Sequence, residues 1–361
     1  MTRSLSRLSP RQNALGDISM LYVSVLLRAA AVEGANIVQL SSDFRLYREA
    51  LASSEARISI PRFMRLGHAA IVQAGNPALG LRMGALTRPI DTGISGLAGQ
   101  CATTVGEAIT TLIRYSLLTS QNSRGIPTID AAARQVRFYS IRPYNAFNFF
   151  VVDSVLAAWT QFLRNASGQY AVLERVSIEY ASLGLDDQFE RWFGCPVQFG
   201  ADTNSITLRP DIWVQPSLHA QPAMYEKLTG LCELELQQIR RGWTTSDRVK
   251  NLLTPLFQGE SPGLKIIAQK LGTAPWTLQR QLAAENTGFR ELVDETRKQL
   301  AQDYIRETDL SLSEVAWLSG FANPTALHKA YQRWFNISPG EQRKRLRATG
   351  EMQPPPGAEK K

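Results

Sequence analysis

The sequence predicts a mixed chain: an α+β domain over residues 18–222, followed by an all-α domain over residues 247–347 that carries two helix-turn-helix units. Three observations predict this. At 361 residues the chain is too long for one ordinary domain and long enough for two. Residues 134–180 hold two alternating, β-branched and aromatic runs among helical stretches. Near the C-terminus one helical pattern occurs twice, 48 residues apart from Ala268 to Ala316.

In chain order, residues 1–17 read as a flexible leader. Arg3, Arg7 and Arg11 precede an apolar run, which gives this region the outline of a secretory signal. Asp17 and Arg28 bound the run closely, however, and residues 18–34 read instead as a first amphipathic helix. Residues 41–53 and 61–74 read as two more helices, the second with Pro61 suited to its first turn and Asn76-Pro77 ending it. Residues 87–101 are Gly-rich and read as loops. Thr104, with Glu107 three positions on, is a capping box opening a helix that runs to residue 120. Residues 134–141 (RQVRFYSI) and 173–180 read as strands, and residues 186–193 as a short helix. Residues 145–164 form a strongly apolar, buried helix, interrupted by Asp153 and Gln161 and so not a membrane span. Residues 223–246 read as a helical connector. Its leucines (Leu228, Leu231, Leu234 and Leu236) either form a dimer seam or pack on the first domain. The Pro/Gly-rich residues 348–361 read as a disordered tail.

Residues 247–256 open the second domain, and residues 258–263 turn the chain into the repeat. The first copy runs Ile267-Ala268, Leu271-Gly272, Trp276, Leu278, Arg280, Leu282. The second runs Val315-Ala316, Gly320-Phe321, Leu327, Lys329, Tyr331. Each has an apolar-Ala pair ending a short helix, a Gly-containing turn, and a helix with apolar residues four apart. Alanine lets a second helix cross closely, glycine takes the turn's backbone angles, and the second helix has one apolar stripe and one polar face. Those outward positions include Pro275, Trp276, Thr277, Gln279 and Arg280 in the first unit. In the second they include Asn323, Thr325, His328, Lys329, Gln332 and Arg333. Trp276 reads either as outward-facing or as a core aromatic.

Composition is that of a soluble globular protein, with 44% hydrophobic and 20% charged residues. The net charge of +8 suits a polyanion binder but is spread along the chain: residues 247–347 hold 15 Lys and Arg against 11 Asp and Glu. Charge alone is therefore a poor argument for a nucleic-acid partner. Cys101, Cys195 and Cys232 are widely spaced, and His68, His219 and His328 do not cluster, so neither a metal site nor a catalytic triad is expected. Residues 1–246 hold no nucleophile elbow, phosphate loop or dinucleotide fingerprint, so no catalytic residue and no cofactor are expected.

With these residues assembled, the stretch 261–347 resembles the two-helix-turn-helix DNA-binding domain of the AraC/XylS transcription regulators. GFANPTALHKAYQRWFNISPGEQRKR follows that family's usual ending. It departs at Leu327 and Tyr331, where Phe is commoner, and at Asn336, where Gly usually ends the helix. The first two stay apolar, and Asn is the next most tolerant residue at a left-handed cap. More loosely, ALGLRMG, FGCPVQFGA and SITL resemble the N-terminal ligand domain of a subgroup called arabinose-binding and shared with ornithine-use regulators.

The resemblance implies a bacterial, cytoplasmic, homodimeric regulator of transcription, an activator by family habit, with double-stranded DNA, a small-molecule effector and RNA polymerase as partners. It places Trp276, Gln279, Arg280, Thr325, His328 and Lys329 at base- and backbone-facing positions. Gln pairs with adenine and Arg with guanine, each contact giving about 1–3 kcal/mol of discrimination. Residues 289–306 would hold the two units in successive major grooves, about 34 Å apart. Lys329 and Arg333 suit phosphates better than bases, and the run Arg343-Lys344-Arg345 is either solvated surface or a phosphate contact. For the effector, the weak candidates are Arg142, Tyr144 and Phe149, against a reading of them as ordinary core and surface. Two alternatives stand beside this: a first domain that only dimerises, and an enzyme with a DNA-binding appendage.

Overall fold

The computed structural model describes residues 16–51, 56–122, 124–241, 244–308 and 310–348. The chain begins with β1 (Gly16–Ser19) and α1 (Met20–Val32), whose N-cap Ser19 accepts from Leu21 N. It continues through α2 (Ile37–Asp43), α3 (Arg48–Leu51), β2 (Arg57–Ser59), α4 (Ile60–Ala74) and α5 (Leu79–Leu86). Next come α6 (Gly93–Gln100), α7 (Val105–Arg114), β3 (Ser120–Asn122), β4 (Thr128–Asp130), β5 (Gln135–Phe138) and α8 (Phe149–Ser167). β6 (Leu173–Ile178), α9 (Asp186–Phe193), β7 (Val197–Phe199), β8 (Asn204–Leu208) and α10 (Pro210–Val214) complete the first domain.

Two sheets organise it. One has the order β2-β1-β3, all antiparallel; the other has the order β4-β5-β8-β6-β7, antiparallel except for the parallel β6–β7 pair. α8 runs through the core and buries Phe150, Val152, Leu156, Phe162 and Leu163. α5 crosses it at backbone contact, because a Cβ on Gly84 would lie 2.2 Å from that of Ala157. Asp153 of α8 is buried as well, and its carboxyl accepts from the Tyr180 hydroxyl.

Several expectations change here. Gly16 and Asp17 are not leader: they pair with Asn122, Gln121 and Ser59, and Arg57 pairs with Asp17. The rest of the expected leader lies outside the described residues, as do residues 349–361 of the tail. The helix expected over 41–53 is two short helices, separated by a turn in which Arg45 takes φ 47°. Residues 87–101 are a short 3-10 turn (Pro89–Thr92) and then α6, not loops. Their glycines serve close packing: a Cβ on Gly99 would sit 2.7 Å from Ala108 O. The helix from Thr104 stops at Arg114, because the chain then turns through Ser116–Leu118 to join the first sheet as β3. Thr104 caps it by accepting from Glu107 N, but the Glu107 carboxylate reaches back to Thr103 N, one residue earlier than expected.

The connector is α11 (Pro222–Arg241). Its leucines divide between the first domain and solvent. Leu236 and Cys232 are buried with Ala98, Tyr115 and Leu117 of the first domain, and Leu228 packs at their edge. Leu231 and Leu234 are 43% and 57% exposed. Burial pushes the Cys195 thiol up to about 12 and the Cys232 thiol up to about 11, so both stay protonated, inert thiols.

The second domain is helical throughout: α12 (Thr245–Leu253), α13 (Leu264–Lys270), α14 (Pro275–Ala284), α15 (Phe289–Glu307), α16 (Leu312–Leu318), α17 (Pro324–Phe335) and α18 (Pro339–Ala348). Among the described residues, no helix is long and apolar enough to cross a membrane.

Candidate nucleic-acid interface

Each repeat folds as its pattern dictates. In the first, Ile267 and Ala268 at the end of α13 are fully buried against Leu278 and Leu282 of α14. In the second, Val315 and Ala316 of α16 meet Leu327 and Tyr331 of α17. α16 opens with a reciprocal cap between Ser311 and Glu314. Asn336 ends α17 at φ 55°, the left-handed cap expected of it.

Gly272 and Gly320 make the two turns with φ 66° and 75°. They differ in their surroundings. Nothing lies within 4 Å of a Cβ on Gly272, whereas one on Gly320 would meet the Phe257 ring at 2.8 Å and Glu260 O at 3.0 Å. Gly272→Ala should therefore cost only the left-handed backbone penalty, about 1 kcal/mol. Gly320→Ala adds overpacking and should cost about 2–4 kcal/mol. Thermal unfolding of the two variants checks the ranking; equal losses would show that the space around Gly320 relaxes freely.

α15 braces the two units. Leu300, Ala301, Tyr304 and Ile305 are buried along it. On the same stripe lies Arg297, whose guanidinium donates to Gly320 O and sits 4.7 Å from the Phe321 ring centre. This arginine thus ties the second unit's turn to the brace, a role the sequence reading missed. The available signal was a lone charge on the apolar face of the helix, in step with Val293 and Leu300.

The expected contact residues fall as follows. Gln279 and Arg280 are exposed on α14. Trp276 is 65% exposed, which removes the core reading, and the Arg280 guanidinium lies 5.6 Å from its ring centre. Pro275 and Thr277 are half-buried at the start of the helix. On α17, Thr325, His328, Lys329 and Gln332 are exposed. Asn323 is exposed too, but its side chain caps the helix by accepting from Ala326 N at 2.9 Å. Arg333 is partly committed: it donates to Asp294 at 2.8 Å, a carboxylate that Trp334 Nε1 also reaches. Arg345 pairs with Glu341 one turn earlier on α18.

The weak effector candidates are brought together, but into a closed network. Arg142 pairs with Glu179 at 2.9 Å, and Arg124 does so at 3.1 Å. The Tyr144 hydroxyl donates to the same carboxylate and accepts from Asn204 Nδ2 at 2.7 Å. Phe149 stacks on Tyr180 with ring centres 4.7 Å apart. The Arg142 guanidinium is therefore already paired with a carboxylate. Among the described residues, no group of His, Cys, Asp and Glu could hold a metal ion.

Residues 34–217 match the arabinose-binding domain of AraC transcription regulators, N-terminal, and residues 267–345 match a helix-turn-helix domain. The chain is 26% identical over 328 residues to the ornithine utilization regulator of Pseudomonas aeruginosa, covering 90% of this chain and 96% of that one. It is 28% identical over 298 residues to the HTH-type regulator VirS of Mycobacterium tuberculosis, covering 80% and 85%. Among solved structures, the transcriptional regulator CdpR of Pseudomonas aeruginosa aligns over 90% of this chain and 98% of its own, at 20% identity and a TM-score of 0.43. With the arabinose-binding-type domain spanning more than half of its length and the helix-turn-helix domain following, the chain belongs to the AraC-type family of helix-turn-helix transcription regulators.

Proposed function

We propose that this protein reads double-stranded DNA through α14 and α17, and that a small molecule held by residues 18–222 governs its action as an activator. The observation that carries the reading is the pair of braced helices with exposed polar side chains outward: Gln279 and Arg280 on one, His328 and Lys329 on the other. Gln279 and Arg280 suit base edges, Lys329 suits phosphate, and Thr325 and Gln332 flank the contact. Residues 223–246 link the sensing part to the DNA-binding part, residues 247–347. The exposed Leu231 and Leu234 on the connector suit a dimer seam. RNA polymerase is the partner an activator requires, the bacterial cytoplasm the compartment, and regulation rather than catalysis the activity.

The test is binding of the full chain to its own upstream intergenic DNA across a salt titration. Log affinity should fall steeply with log salt, by about 0.9 per neutralised phosphate. Lys329→Ala should weaken every sequence alike and reduce the slope by about 1. A flat salt response would remove the DNA-binding reading.

A further inference from the structure

The first domain encloses a cavity of about 80 Å³ between β1, α1, α4, α7, α8 and the β3–β5 region. Its wall is apolar in the main, with Tyr22, Phe63, Leu112, Phe138 and Trp159 among the large side chains. Among the described residues, no Asp, Glu, Lys, Arg or His lines it. The titratable group on the wall is the Tyr22 phenol, which burial holds above its ordinary value and so neutral. Most polar side chains of the wall are already used: the hydroxyls of Thr87, Thr92 and Ser154 donate to main-chain carbonyls, and Asn122 bonds Tyr139 O and Arg124 N. Two are not. The hydroxyls of Ser116 and Ser140 are buried without a hydrogen-bond partner, and Ser140 is fully enclosed. A buried hydroxyl left unpaired is costly; no water-sized atom in the cavity touches either one, so a guest's polar atom would satisfy it through a small shift of the wall.

We infer that this cavity takes a small, uncharged, mainly apolar molecule with one or two hydrogen-bonding atoms, the size of phenol or a short alcohol, and that its occupancy is transmitted through residues 116–122. At about 10–15 Å³ per water-sized group, the volume holds on the order of six such groups. An ionised amino acid or a benzoate would have to leave its charge unpaired in an apolar site, and a sugar would bring more hydroxyls than the wall can satisfy. The inference rests on reading the first domain as a sensor, and it gives that sensor a ligand class at odds with ornithine or arabinose.

The transmission follows from one short segment. Ser116, Thr119, Ser120 and Asn122 line the cavity. Between them, Leu117 packs with Cys232 and Leu236 of the connector. Gln121 points the other way, and its amide donates at 3.0 Å to Asn251 on α12 of the DNA-binding domain. A guest that shifts this wall therefore shifts two of the places where the first domain holds the second.

The experiment uses the full chain with two probe sets: phenol, benzyl alcohol and 1-butanol against L-ornithine, L-arabinose and benzoate. Melting temperature and affinity for the upstream DNA are read in parallel. At a hundredfold excess over its dissociation constant, a neutral probe should raise the melting temperature by roughly 5 °C, and the second set should leave it unchanged. Ser140→Ala should leave the unliganded melting temperature nearly in place and weaken the best probe by roughly 5- to 10-fold. Gln121→Ala should keep the probe-induced rise in melting temperature but lose the probe's effect on DNA affinity. If ornithine, arabinose or benzoate binds and the neutral set does not, the ligand class is overturned while the sensing reading stands. If neither set moves the melting temperature, the cavity is a packing void and the inference falls. A Gln121→Ala protein whose DNA affinity still responds overturns the transmission route. Failure to bind the upstream DNA at all would instead sink the regulator reading, whatever the probes do.

Discussion

Replacing Gln279 and Arg280 together with alanine is expected to weaken binding to the upstream site by roughly a thousandfold, because each base contact gives about 1–3 kcal/mol and 1.4 kcal/mol is tenfold. Both side chains are exposed on α14, and neither forms part of the buried stripe of Leu278 and Leu282. The double variant should therefore melt with the parent protein. Arg280 loses its contact with the Trp276 ring, worth about 0.5–1 kcal/mol at an exposed site, which is small beside the loss at the groove. Specific and non-specific DNA should respond differently: the operator loses most of its advantage, while salt-dependent background binding remains. The measurement is a titration of both DNAs with parent and variant. Equal affinity of the two proteins for the upstream site would mean that α14 does not read bases there. A uniform loss on all DNA would reassign Arg280 to phosphate.

The helix-turn-helix units were legible because everything that makes them is local. Apolar residues four apart, an alanine at the crossing and a glycine in the turn all lie within about twenty residues, and Gly272 and Gly320 take the backbone angles that pattern requires. The first domain resisted for the opposite reason. β8 alternates Ser205, Ile206, Thr207 and Leu208, yet every position is buried, so its polar residues mark no solvent face. β1 to β3 are three or four residues long and exist through partners dozens of positions away. α6 was hidden by its own glycines, which usually break helices but here admit the Pro89 and Ala108 carbonyls. The site followed the same division. The outward positions of α14 and α17 could be named in advance, whereas the commitments of Arg333 to Asp294 and of Arg142 to Glu179 span 39 and 37 residues. The cavity wall is drawn from elements between residues 18 and 159, and no sequence pattern joins them.

Asp153 gives the second large effect. Burial in the middle of α8 raises its carboxyl to about 7, outweighing the Tyr180 hydroxyl that donates to it and favours the ionised form. In the unfolded chain the same group titrates near 3.9. Between about pH 4 and pH 7 the folded state holds a proton that the unfolded state has released. Stability therefore falls as pH rises through that window, by up to about 4 kcal/mol, and is level above it. Asp153→Asn keeps the acceptor for Tyr180 and cannot ionise. Its stability should lack this decline, so its difference from the parent should grow in the variant's favour from pH 5 to pH 8. An unpaired amide N–H₂ costs about 1–3 kcal/mol of that gain, which leaves the variant within about 1.5 kcal/mol of the parent at pH 5 and above it at pH 8. Urea unfolding at the two values reads this growing difference directly, and the comparison cancels every other titrating group. A constant difference at both would show that Asp153 stays ionised in the fold, and that the closed core around Tyr180 admits enough polarisation to hold the charge.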